Sequence, residues 1–321
     1  MKNPDQTGDG GDMQIQYINP LKNGFAHMKK ALFKPFELRL WLVIGFTAFL
    51  AQLTEWGGGG NSGISNKGNH DFNLGDVVNA PGNAINWLTE NPGWFIFIIF
   101  VAFIIIALAV VLTWLSARGK FMFLHNVAHY QSEVSKPWHE YRKEGNSLFL
   151  WLLGFGFISF LFICLDIVLL YGILSNIYWS DPPVSVIVFN FIGLGLLFLL
   201  TVIIISFIER FLNDFVVPIM FKHRISCIDA WGRYWTILKK HFFSFILYGL
   251  FYFLIAIVIG MAVIAAGLLT CCIGFLFFAL PYVNSVVLLP VSYTLRAFSL
   301  EFLAQFGKEV SLVPKVVKKT A

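Results

Sequence analysis

The chain has 321 residues, 57% of them apolar and only 13% charged, where an ordinary soluble domain is about a quarter charged. Its 35 Phe exceed what a water-facing protein of this size can bury, so lipid must be the solvent for much of it. The net charge of +5 does not mark a nucleic-acid partner, because Lys and Arg fall in the gaps between apolar runs rather than along one stripe.

Residues 1–17 read as a polar tail without the apolar core of a signal peptide. A membrane span takes about 20 mostly apolar residues. Six segments qualify: 36–53, 94–116, 148–174, 185–208, 244–269 and 273–295. The first is the weakest, with Glu37 and Arg39 near its start and Gln52 and Glu55 near its end. Charges at span ends can reach the interface. With six spans, 22 of the 23 Lys and Arg lie on one side, Lys67 being the exception. The positive-inside rule makes that side cytoplasmic and puts both termini there.

The expected fold is therefore all-α: a polytopic helical membrane domain over 18–306, followed by a basic tail, 307–321. Its expected home is a bacterial inner membrane. The outer loop 57–92 is Gly- and Asn-rich, and within it 76–88 is expected to form a short interfacial helix. Asp181-Pro182-Pro183 breaks the chain before the fourth span.

Three short strings repeat a pattern at the cytoplasmic ends of spans two, four and six. They are Arg118-Gly-Lys-Phe-Met-Phe-Leu, Arg210-Phe-Leu-Asn-Asp-Phe and Arg296-Ala-Phe-Ser-Leu-Glu-Phe. Three lead-in segments precede spans one, three and five. Asn19-Pro20 suits a helix cap and first turn before Leu21, Phe25, Met28 and Leu32, which share one helical face. Lys136-Pro137-Trp138 opens a short helix that also carries Tyr141, and Gly145 is expected to end it. Ser226 is expected to cap a helix whose Ile228, Trp231, Trp235 and Leu238 share a face, away from Arg233, Lys239 and Lys240. The expectation is a threefold internal repeat of helix pairs, each with a cytoplasmic amphipathic helix lying among the headgroups or capping the bundle. Arg118, Trp138, Tyr141, Arg142, Arg210, Trp231, Arg233, Trp235 and Arg296 are its candidate contact residues. Anionic headgroups are the expected partners, at about 1 kcal/mol per basic residue. A protein partner or a second copy of the chain is the alternative.

Few residues carry chemistry. His125 and His129 share a helical face and His139 is near in sequence, but no Glu follows His125 as in H-E-x-x-H, so no metal or other cofactor is assigned. Asp166 lies in the third span, about 27 Å from Leu148 along a helix, which puts it near the outer boundary. Asn190 and Asn284 are the other intramembrane polar candidates; Asn284 stands between Pro281 and Pro290 in a span expected to kink. Cys164, Cys227, Cys271 and Cys272 form no framework and read as small apolar filler. There is no G-x-S-x-G motif, P-loop or paired-carboxylate pattern.

Several segments carry a family likeness. They are Ala117-Arg118-Gly119-Lys120-Phe121, Pro137-Trp138 with Tyr141-Arg142, Gly145-Asn146-Ser147, and Asp214 to Met220 running into Ala230-Trp231. Over residues 18–306 the chain resembles the membrane domain found beside glycerophosphoryl diester phosphodiesterases, and its stand-alone six-span bacterial relatives. The resemblance implies a membrane module. The family's separate catalytic barrel has no counterpart here, so no catalytic residue carries over. A non-enzymatic scaffold or lipid- or partner-binding subunit is thus the first expectation. A transporter or channel with a path between the repeats is the second. A membrane lipid enzyme using the histidines is the third.

Overall fold

The computed structural model describes residues 15–34, 36–54, 73–270, 280–307 and 309–312. All regular structure among them is helical: α1 (Ile18–Phe33), α2 (Leu38–Gln52), α3 (Leu74–Glu90), α4 (Pro92–His129), α5 (Ser135–Glu140), α6 (Arg142–Ser180), α7 (Val184–Phe211), a π segment (Leu212–Val216), α8 (Val217–His223), α9 (Cys227–Lys240), α10 (Phe242–Leu269), α11 (Pro281–Val287) and α12 (Leu289–Ala304). Four are long and apolar enough to cross a membrane: α4, α6, α7 with its continuation to His223, and α10. The pair α11–α12 makes a fifth if taken as one span, bent by 64°.

Burial is concentrated at one end of these helices. In α4 every buried residue lies between Ser116 and Ala128, while the apolar stretch before it is bare. No residue of α7 is buried, and α10 buries only Phe245, Tyr248 and Gly267. A run such as Phe95–Val111 with its Phe, Ile and Leu side chains outward cannot face water, so lipid must cover it. The packed core instead gathers at the Arg-bearing ends, around Phe121, Phe215, Tyr234, Phe245, Tyr248, Phe298 and Phe302.

The packing at this basic end follows a cyclic order. The end of α4 packs on α5, α8 and the π segment pack on α9, and α12 packs on α1. Each run-out following an arginine therefore meets the next lead-in helix, and the last meets the first.

Several local expectations shift. α1 begins at Ile18 with Tyr17 as its cap, so Asn19 lies inside the helix. Its inward stripe is Pro20, Gly24, Met28 and Leu32, while Phe25 is exposed. The stripe is set by a close crossing: a Cβ on Gly24 would meet Phe298 N and Thr294 O at 2.9 Å. Gly145 does not end a helix; α6 starts at Arg142 and runs through it, and Gly145 lets Arg118 Cγ approach to 3.1 Å of where a Cβ would sit. In α9 Ser226 caps as expected, accepting from Asp229 N at 3.3 Å. The buried face, however, is Cys227, Ala230, Tyr234 and Leu238, with Ile228 and Trp235 turned outward.

The expected span over 36–53 is a 15-residue helix, short of the 17 or so residues a straight crossing needs. It lies beside the buried end of α4 rather than its bare stretch. Ser116 Oγ donates to Ala51 O at 3.0 Å, and Asn126 Nδ2 to Thr47 Oγ1 at 3.3 Å. The short helix expected over 76–88 is α3, somewhat longer than expected, with Asn73 capping Gly75 N at 3.0 Å. Residues 57–72 of that loop, 273–279 of the sixth segment and most of both tails lie outside the described residues. The rest of the sixth segment bends at Leu288, just before Pro290 enters the first turn of α12.

Candidate functional site

The three arginines are held by different chemistry at similar places. Arg118 of α4 lies between two indoles, its Cζ 4.4 Å from the Trp114 ring and 4.8 Å from that of Trp138, and it donates to Asn146 Oδ1 at 3.1 Å. Half-buried Trp138 thus packs its ring on a buried cation. Arg210 of α7 stands 3.8 Å over the Tyr252 ring and 3.9 Å from Asp214, four residues on along the same helical run. Arg296 of α12 donates through Nη1 to the carbonyl of Asn213.

Asn213 is where the three run-outs meet. Its side-chain oxygen accepts from Lys120 Nζ of α4 at 2.6 Å, while its carbonyl takes Arg296 of α12. Beside it Asp214 accepts from the hydroxyl of buried Tyr248 at 3.0 Å. The π segment that carries both residues is a local widening of the helix, a device frequent at functional sites. Lys120, Asn213, Asp214 and Arg296 border a cavity of about 120 Å³, which Gln52, Arg210, Tyr252 and Ser292 also line. Lys120 and Asp214 are each only 5% exposed.

Lys120 and Tyr248 were outside the sequence expectation. Lys120 stands two residues after Arg118 and reads as another headgroup-facing charge, while Tyr248 and Tyr252 look like ordinary interfacial aromatics until their helix is seen against the π segment. The other candidates are dispersed. Tyr141 is buried and stacked on Phe221 at 4.4 Å, beneath Arg224, whereas Arg142 is exposed. Trp231 stacks on Trp151 at 5.6 Å and is partly buried. Arg233 and Trp235 are exposed, with Lys239 Nζ 5.7 Å from the Trp235 ring.

The rings of His125 and His129 lie 4.5 Å apart, but His125 Nε2 is bonded to Gln131 and His129 Nδ1 to the His125 carbonyl. His139 bonds to the Ser135 carbonyl instead of joining them. Among the described residues no three His, Cys, Asp or Glu come together as a metal site. Asp166 is buried on α6 with Oδ2 unpartnered among the described residues, and Asn284 Oδ1 is likewise buried without a hydrogen bond. Asn190 is half-buried on α7. The three do not converge with the Asn213 cavity.

Burial also sets the titration of the basic end. It pushes the Cys227 thiol up to about 12 and the Tyr130 phenol up to about 12, the latter with help from Glu301. Tyr141 and Tyr234 are raised by the same cause. The folded chain thus keeps protons that the unfolded chain releases from about pH 8.5 for Cys and 10 for Tyr. Stability is full below those values and falls as pH rises toward 12. Thermal unfolding in detergent is expected to show a midpoint clearly lower at pH 11 than at pH 8; a flat profile would contradict this burial.

A bundle of long bare apolar helices, packed together mainly at a polar, aromatic end, defines an all-helical integral membrane protein. The chain matches the Family of unknown function (DUF7544) over residues 16–307 and belongs to that family. No curated protein and no solved structure matches it.

Proposed function

We propose that the protein is a non-enzymatic membrane module of a bacterial inner membrane, whose basic end binds anionic headgroups or a protein partner at the cytoplasmic face. In this reading the chain crosses six times. Four crossings are the long helices, and two fall in the stretches that contain α2 and α11–α12. The distribution of 22 of 23 Lys and Arg supports that count and the cytoplasmic placement of both termini. The cyclic packing of run-outs on lead-in helices supports an origin by triplication of a helix pair. The likeness to phosphodiesterase membrane domains fits a module without a catalytic barrel.

One observation carries the binding role. On α9 the outward face presents Ile228, Trp235, Arg233 and Lys239 beside the buried core. An exposed indole and a bulky aliphatic next to cations is the composition of a helix lying at headgroup level. Trp231, stacked inside, is the wrong residue to probe, and Trp235 is the right one. Native mass spectrometry after gentle extraction is expected to show fewer retained anionic lipids or a lost partner chain in Trp235→Ala and Arg233→Gln. Each basic residue contributes about 1 kcal/mol, so Arg233→Gln lowers the association about fivefold. Retention unchanged in both variants would end this reading.

A further inference from the structure

We propose that the protein binds a file of water between α2 and the bent α11–α12 pair, leading from the Asn213 cavity past Gln52 to Asn284. The charged groups of that cavity are engaged with their neighbours, and polar walls are all the file requires.

Two cavities meet at one side chain. Gln52 lines the cavity of about 120 Å³ and also a second of about 20 Å³, which Phe49, Asn284 and Ser285 line as well. Its Nε2 donates to Ser292 Oγ at 3.0 Å, and Ser292 belongs to the wall of the larger cavity. Gln52 is thus the partition between the two. One water needs about 10–15 Å³ and two to four polar partners. The smaller cavity has that room, and the larger has room for several waters.

Asn284 gives water a reason to reach the smaller cavity. Its Oδ1 is buried and accepts no hydrogen bond among the described residues. A buried carbonyl oxygen without a donor is destabilising, and water is the donor small enough for about 20 Å³. Buried Ser285 donates through Oγ to the Pro281 carbonyl at 3.1 Å and keeps lone pairs that can accept. With the Gln52 carboxamide, these groups make up the partners that one water needs.

The backbone fits the same reading. α2 stops at Gln52, and the α11–α12 pair turns by 64° just before Pro290, which has no N–H to give. The two short helices are locked to each other. A Cβ on Gly45 would sit 2.6 Å from Val286 Cγ2, and the Tyr282 hydroxyl donates to the Leu42 carbonyl at 3.1 Å. Interrupted helices in a membrane domain are tolerated where protein or water satisfies the freed backbone groups. The depth of the file in the bilayer follows from the six-crossing reading, whereas the file itself rests on the two cavities and Asn284.

The test is X-ray radiolytic footprinting of the full chain in detergent, read by peptide mass spectrometry. Water then generates hydroxyl radicals where it lies and oxidises the nearest side chains. Phe49 reports the smaller cavity, and buried Phe123 the larger. Phe253, on the bare surface of α10, reports a ring covered by detergent alone. Phe49 and Phe123 are expected to be oxidised well above Phe253 in the parent protein. Asn284→Leu, which fills the smaller cavity with apolar atoms, is expected to bring Phe49 down to the Phe253 level and leave Phe123 as it was. Should Asn284→Leu not fold, Gln52→Met at the partition is expected to do the same and decides the matter. Oxidation of Phe49 at the Phe253 level in the parent overturns the proposal, and so does oxidation of Phe49 that stays high in the folded variant. The headgroup reading stands apart, because Trp235→Ala on the outward face of α9 is expected to lose lipid retention with both cavity rings oxidised as in the parent.

Discussion

Phe215→Ala is expected to lower the thermal midpoint of the solubilised protein by about 10 °C, followed by the loss of monodisperse protein after heating. Phe215 is fully buried in the π segment, and its ring touches others from several elements. It stacks on Tyr234 of α9 at 5.5 Å and meets Phe245 and Tyr248 of α10 at 5.0 and 4.9 Å, and Phe302 of α12 at 6.0 Å. Truncating such a ring costs about 3–5 kcal/mol in a soluble core, part of it transfer and part the cavity left behind. Where lipid solvates the unfolded chain the transfer part shrinks, because lipid is as apolar as the core. The cavity part remains, which puts the expectation near 3 kcal/mol and the midpoint shift near that size. Phe215→Leu, which keeps more of the volume, is expected to cost about 1 kcal/mol. Equal losses in the two variants would show that ring shape rather than filled space matters.

Gly119→Ala is expected to be worse than its single methyl implies. The added Cβ would sit 2.6 Å from Ala51 N, Leu50 C and Leu50 Cβ, and two of those atoms belong to the α2 backbone. Backbone in a packed helix cannot swing aside as a side chain can. The helices must part, which strains the Ser116–Ala51 and Asn126–Thr47 hydrogen bonds of the same seam. Overpacking typically costs about 1–3 kcal/mol; the backbone clash argues for the upper end or beyond, seen as a steep drop in folded yield. Gly154→Ala is the matched control, because nothing lies within 4 Å of its Cβ position in α6. There the change is expected to be neutral or to stabilise by up to about 1 kcal/mol through helix propensity. Similar losses at both glycines would refute the seam.

The long helices were legible because apolar length and the spacing of charge are written in composition alone. The cap at Ser226 and the bend before Pro290 were legible because each has a local cause. The packing of α2 against the buried end of α4 was not, since an apolar helix reads alike whether lipid or protein lies against it. The same ambiguity turned α9: Trp231 and Trp235 read as sharing one apolar face with Ile228 and Leu238, yet buried Tyr234 and small Ala230 sit against the core with Leu238 while Trp235 turns outward. Gly145 reads as a stop signal by residue type, and only the approach of Arg118 explains its place inside α6. The Asn213 cavity was hidden for another reason. The residues that meet there come from run-outs 93 and 83 positions apart, and nothing local marks their meeting.

The cyclic order of packing has a consequence for how the chain is made. Lead-in helix α1 ends at Phe33, yet its partner α12 begins only at Leu289. His27 and Glu301, 274 positions apart, close that seam, and Gln16 and Gln305 exchange two hydrogen bonds of 2.9 Å across it. The other two seams join near neighbours and can form while translation continues. Until α12 arrives, the stripe through Gly24 and Met28 lacks the helix that covers it in the folded protein, so the nascent chain carries one unsealed face in the interval. A linker joining the two sides of this seam, with the chain opened between α4 and α5, would keep α1 packed on α12 but make a different seam the last to close. Which face the cell's quality control must guard is thus a matter of translation order, not of the folded shape.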